Sequence, residues 1–327
     1  MSTIGKTAVA EKNSSNAMAK DLLKRYGIVL VLLLMVVILS LLTPTFLKPQ
    51  NLINIIRQVS IVSIIAFGST FVLITSGVDL SPGSVLALAS VVAASQAHPG
   101  QNPLIVPILV GLGVGAFAGF INGSIIAGFR IPPFIATLGM FTTARGAALL
   151  FTNGKPIGDF SKEFNFIGGG QIAGVPFPII LLVVVGLISY LLLHHTRFGK
   201  YTFAIGGNEQ AALISGINVS KYKVLIYTYA GLMAGISAVI LSARVESGQP
   251  GAGVGFEFDA ITAAVIGGTS LSGGIGSIPG TIVGALIIGV LNNGMDLLNV
   301  SAYWQQVMRG AIIVGAVILD TRKNKVK

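Results

Sequence analysis

The chain has 327 residues, 53% of them hydrophobic and only 10% charged, with a mean hydropathy of +0.85, whereas soluble domains average about 45–50% apolar and about 25% charged. This is the make-up of an integral membrane protein, and with about 20 residues per helical span it leaves no room for a folded nucleotide-binding or catalytic domain. No cysteine is present, which excludes disulfides and thiolate chemistry, and the formal charge of +10 comes from blocks flanking apolar runs, the pattern of membrane orientation and not of nucleic-acid binding.

Residues 1–26 are polar and carry Lys6, Lys12, Lys20, Lys24 and Arg25. The apolar run from Gly27 to Leu42 follows. The leading region is too long for a signal peptide, and the exit Leu42-Thr43-Pro44-Thr45 has no small-x-small cleavage site, so a retained first helix with a cytoplasmic N-terminus is expected. Further apolar segments at 54–76, 82–97, 103–127, 132–152, 174–195, 220–244, 258–274, 279–298 and 302–320 predict an all-α polytopic protein of about ten transmembrane helices. Segment 82–97 is short and rich in Ala and Ser, and could be a broken or partly inserted helix. Ten spans place fourteen of the 21 basic residues on the cytoplasmic side, with both termini and the loop 196–219, and seven outside or within the membrane. No long internal repeat is visible. Ser81-Pro82-Gly83-Ser84 and Ile278-Pro279-Gly280-Thr281 each open an apolar run, which is helix-start chemistry.

Three features exceed generic membrane helix. Gly111, Gly115, Gly119 and Gly123 recur every fourth residue, and Gly231/Gly235 and Gly280/Gly284 repeat the spacing. Such faces let helix backbones approach closely, either within one subunit or across a dimer seam or moving contact. The second feature is the cytoplasmic loop, where Gly207, Asn208, Glu209, Gln210, Ala211, Ala212, Leu213, Ile214, Ser215 and Gly216 read as a miniature helix. Asn208 caps it, Glu209 faces its positive end, and Gly216 stops it. Two turns are not stable alone, so this helix needs its own membrane domain or a cytoplasmic partner to dock on. The third is the scarcity of intramembrane charge: Asp79, Arg145, Arg309 and Asp296. Asp79 reads as a loop or N-cap residue or as a substrate ligand; Arg145 and Arg309 read as snorkelling outward.

What is missing also discriminates. Gly5-Lys6-Thr7 lacks the upstream glycine of a phosphate loop, so no ATP site is expected. His98, His194 and His195 lack metal-site spacing, and Gly-x-Ser-x-Gly is absent, so no metal and no catalytic group is expected either.

Several blocks carry a resemblance. His194-His195-Thr196-Arg197-Phe198-Gly199-Lys200-Tyr201, Ala204 to Glu209, Ala211-Ala212 and Ser215 to Val219 are similar to the permease subunits of bacterial monosaccharide ABC importers. Leu73 to Ser81, Phe134 to Leu138, Phe151 to Gly154, Asp259 to Ile261 and Gly267 to Leu271 agree in order. Within that family Gly267 to Gly294, ending Leu291-Asn292-Asn293-Gly294, resembles the ribose branch, although galactose, xylose, allose and autoinducer-2 permeases share much of the pattern. The resemblance implies a transmembrane permease domain over 27–320 between cytoplasmic tails 1–26 and 321–327, in the inner membrane. It implies a homodimer around a central path, ATP and Mg bound by separate ATPase chains, a periplasmic or lipid-anchored sugar-binding protein, and a coupling role for 207–216. Because that protein supplies selectivity, the path need only be polar, and Asp79, Asn122, Asn292 and Asn293 are candidates for path or gate. Each Asn could equally be an interhelical hydrogen bond. An ion-coupled transporter, the rival class, needs intramembrane carboxylates, for which only Asp79 and Asp296 stand out.

Overall fold

The computed structural model describes residues 27–325; the polar N-terminal stretch and its basic block lie outside the described residues. Among the described residues the regular elements are all helices apart from one two-stranded hairpin. Six helices are long and apolar enough to cross a membrane: α2 (Pro49–Ile74), α4 (Ile105–Phe129), α5 (Pro133–Thr152), α7 (Phe177–His195), α10 (Val219–Val245) and α12 (Ile278–Leu297). Shorter are α1 (Gly27–Leu42), α3 (Pro82–Ala94) and α11 (Phe256–Ile266), while α13 (Ala302–Lys325) is long but ends in charge. Its helix continues past residue 320, where a tail was expected. Two further helices, α6 (Lys162–Gly169) and α8 (Arg197–Gly207), occupy connections that read as loops in the sequence, and α9 (Glu209–Ile214) lies where the miniature helix was expected within 207–216.

Helix ends follow local chemistry. Pro sits in the first turn of α2, α3, α5, α7 and α12, where its missing N–H costs nothing. Arg130, Asn153 and Glu246 close α4, α5 and α10 in the left-handed region.

The core is α2, buried from Val59 through Ile74 and packed against α7, α10, α11 and α12. Some of its polar groups tie it to the bundle: Thr70 donates to the Ala66 carbonyl and shares a hydrogen bond with Thr281, and Ser237 of α10 donates to the Ile61 carbonyl at 3.1 Å. The most extensive contact is antiparallel α4 on α10. Gly115 backs onto Gly231 and Gly235, Gly119 onto Tyr227 and Gly123 onto Val224, all backbone to backbone, so a methyl at any of them would collide. Gly280 and Gly284 meet Gly267 and Ala263 in the same way, joining α12 to α11. Close approach replaces the hydrophobic drive that lipid does not supply.

At about 1.5 Å per residue, α3 spans about 20 Å and α11 about 16 Å, short of a hydrocarbon core of about 30 Å. Each is flanked by non-helical chain. Gly248 packs on Ser90 and Ala94, and Gly253 packs on Gly83, so the segment 246–255 re-enters alongside α3 from its end to its start. There α11 begins. The expected helix over 258–274 therefore stops at Ile266: Gly268, Gly273 and Gly274 adopt positive φ and turn the chain. A matching scheme links the halves: α3 packs on α4, α5 and α10, while α11 packs on α12, α13 and α2.

Candidate coupling surface and buried polar path

The two ends of the bundle are distinct. At one, Ser161 N–H donates to the Ala97 carbonyl, Ile157 bridges Gly248, and Arg57 reaches the Gly169 carbonyl. At the other lie the end of α2, the loop after α11, and α8 with α9.

Thr196 caps α8, accepting from Gly199 N–H at 3.4 Å. Phe198 stacks on Phe71 of α2 at 5.4 Å between ring centres, and Tyr201 meets Tyr222 of α10 edge-on at 4.8 Å. At its far end Gly206 lies directly on the Ile74 carbonyl, which accepts from Gly274 N–H at 2.8 Å, and Ser76 Oγ donates to the Ser272 carbonyl at 2.9 Å. The end of α2, the end of α8 and the loop after α11 thus meet with no side chain between the backbones at Gly206.

Asn208 separates α8 from α9. Its Oδ1 accepts from Ala211 N–H at 2.9 Å. Gly216, at φ +84, ends the turn, with Gly216 and Ile217 N–H donating to the Leu213 and Ala212 carbonyls, and Ser215 Oγ donates to the Ala211 carbonyl at 2.8 Å. Of this helix only Ala212 is buried, against Ile205 and Val219. Glu209 pairs with Lys223 at 2.8 Å, an exposed pair worth little in stability. Leu213 is 56% exposed and Ile214 86%. A cavity of about 500 Å³ opens beside Leu213, walled by Arg130, Ile131 and Pro132 of the α4–α5 turn and by Val219 and Lys223.

The structure brings Asp79 and Asn122 together. Asp79 Oδ1 accepts from Ser81 N–H at 2.8 Å and Ser81 Oγ at 2.6 Å, and Ser81 Oγ accepts from Asn122 Nδ2 at 3.0 Å. This ties the head of α3 to α4. Asn292 of α12 reaches Asp259 in the first turn of α11 at 3.5 Å, and Arg309 of α13 lies 3.8 Å from the same carboxylate. So each short helix starts at a buried carboxylate attended by an Asn from the long helix that follows, and in each case the Asn Oδ1 has no partner. The Asp259 group borders a cavity of about 10 Å³, room for about one water. Asn293 is separate: it exchanges two hydrogen bonds with Asn51, at 2.8 and 3.0 Å, locking α12 to α2. Asp296 accepts from Gln305 at 2.9 Å near the chain turn at 298–301.

Sequence reading missed two carboxylates. Glu257, just ahead of the apolar segment at 258–274, is 2% exposed, and Asp259, at its start, 4%. Acidic residues opening an apolar run were the available signal. Both arginines have partners within the bundle: Arg145 donates to the Pro250 and Ala252 carbonyls at 2.7 and 2.8 Å, satisfying non-helical backbone, and Arg309 faces Asp259. Among the described residues no group of three or more His, Asp or Glu could hold a metal ion.

The family described as "Branched-chain amino acid transport system / permease component" matches residues 51–317. The chain belongs to this family of importer permeases. It is 48% identical over 304 residues to the ribose import permease protein RbsC of Bacillus subtilis (strain 168), covering 92% of this chain and 94% of that one. RbsC of Escherichia coli (strain K12) is 45% identical over 90% of this chain and 93% of its own length. The D-allose transport system permease protein AlsC of the same strain is 37% identical, over 92% and 93%. No solved structure matches the chain. A permease family with several long apolar helices belongs in the inner membrane.

Proposed function

We propose that the chain is the transmembrane subunit of an ATP-binding cassette importer that moves a monosaccharide, ribose first among candidates, into the cytoplasm by alternating access. The observation that carries this reading is α9, a docked two-turn helix with Leu213 and Ile214 presented to solvent and its neighbour α8 seated on the end of α2. Identity of 45–48% to two ribose permeases across nine-tenths of the chain supports the sugar.

In this reading ten segments cross the membrane, α3 and α11 doing so with their non-helical partners, and both termini lie in the cytoplasm with α8 and α9. Two copies enclose the path. Separate ATPase chains hold ATP and Mg and grip α9; the sugar-binding protein docks on the opposite end, at residues 153–160 and α6. The buried Asp79–Ser81–Asn122 and Asp259–Asn292 groups fix the heads of α3 and α11, the elements that the Ile74 and Gly274 contacts connect to α8. ATP-driven movement of α8 would then shift both short helices together and open the path inward.

Buried Glu257 and Asp259 would also suit ion coupling. Asp259 faces Arg309, however, and Glu257 Oε1 accepts from Gly255 N–H, which are structural roles. The test is uptake of a labelled sugar panel by vesicles holding this chain with its ATPase and binding protein. ATP-dependent ribose uptake supports the proposal; uptake driven by an ion gradient without ATP refutes it.

A further inference from the structure

The hairpin between α6 and α7 has no place in the scheme above. Its strands β1 (Gln171–Ile172) and β2 (Val175–Pro176) pair antiparallel, and Phe177 N–H donates to the Gly170 carbonyl at 2.9 Å. Ala173 and Gly174 make the two-residue turn, both at positive φ. Turns of this kind in water favour Asn, Asp or Gly at the first position; here it is Ala. Ile172 and Val175 are 48% and 43% exposed, and Phe166, packed on Phe177 at 5.5 Å, is 43% exposed. A lone two-stranded hairpin is marginal in water, yet this one projects its apolar side chains outward.

Charge and position select the occupant. From Phe164 to Leu193 the chain carries no Asp, Glu, Lys or Arg, whereas docking faces for soluble partners have charged rims that steer encounter. The hairpin runs directly into α7, whose Val183, Val184, Leu187 and Ile188 are exposed along a spanning helix and therefore face lipid. Its apolar surface continues that lipid-facing surface one step beyond the helix start. We propose that the hairpin tip, Ile172 to Val175, inserts into the interfacial layer of the bilayer at the end opposite α8 and α9, and anchors the start of α7 at fixed depth.

The chain has no cysteine, so single variants label cleanly. Ile172→Cys, Val175→Cys and, as an aqueous reference, Lys155→Cys would each carry an environment-sensitive fluorophore in the full chain, reconstituted in phosphatidylethanolamine–phosphatidylglycerol vesicles. Labels at 172 and 175 should be quenched several-fold more than the label at 155 by lipids bearing a nitroxide near the headgroup. They should also resist iodide, with or without a sugar-binding protein present. Iodide quenching equal to that at 155 would overturn the proposal. So would shielding that arises only when the binding protein is added, which would assign the hairpin to that partner.

Discussion

Gly206 has no space for a side chain because the Ile74 carbonyl occupies it. Overpacking of a tight backbone contact costs about 1–3 kcal/mol, and here the strain falls on the junction between α8 and the bundle. Gly206→Val should leave ATPase binding intact while sharply lowering uptake; equal ATPase binding and uptake in the variant would remove the junction from the mechanism. Asn208 acts more locally. Loss of its single cap bond in Asn208→Ala should cost roughly 0.5–2 kcal/mol of order in α9 and weaken co-purification of the ATPase only in part. Asn293 illustrates a different role, since both of its amide groups are used against Asn51. Replacing it with Ala should lower thermal stability of the purified protein in detergent by about 1–3 kcal/mol, because Asn51 loses its partner, with little change in sugar preference across an uptake panel.

Among the elements, α9 carries the sharpest test. Burying Leu213 and Ile214 in a partner groove would contribute about 1.5–3 kcal/mol each, and a carboxylate there would forfeit that and more. Leu213→Asp and Ile214→Asp should each leave the permease inserted but separate it from its ATPase, read by co-purification. This helix was legible from sequence because its signals are local: Asn208 at the cap, Glu209 in the first turn, Gly216 at the stop. The long spans were legible by apolar length. The short helices were not. Residues 246–255 are non-helical yet packed inside the bundle, held by α3, Gly83 and the Arg145 guanidinium, all distant in sequence. For the same reason Glu257 escaped notice. The glycine spacing signalled close packing, but which helices meet, α4 with α10 and α12 with α11, is a tertiary fact. The α8 helix hid in a loop whose docking surface, Phe71 and Tyr222, belongs to other elements.

At the scale of the whole molecule, the two ends of the bundle present different surfaces. One end presents α9 and the groove beside the α4–α5 turn; the other presents α6, the hairpin and the strap 153–160, where Lys155 and Lys162 are exposed. Charge reversal at these lysines should weaken docking of the sugar-binding protein, and the effect should shrink at high salt, where the Debye length falls to about 3 Å at 1 M. Only docking affinity measured across a salt series distinguishes this from loss of folding. The chain carries no phosphate loop, so purified alone it should hydrolyse no ATP. The measurement that bears most directly on the central claim combines both ends: ATP-driven uptake of labelled ribose by vesicles holding this chain, its ATPase and its binding protein, compared with the same vesicles made from the Leu213→Asp, Ile214→Asp double variant. The account predicts binding-protein-dependent ribose uptake that requires ATP and is abolished in the double variant while the protein remains inserted. Undiminished ATP-driven uptake by the double variant would contradict it.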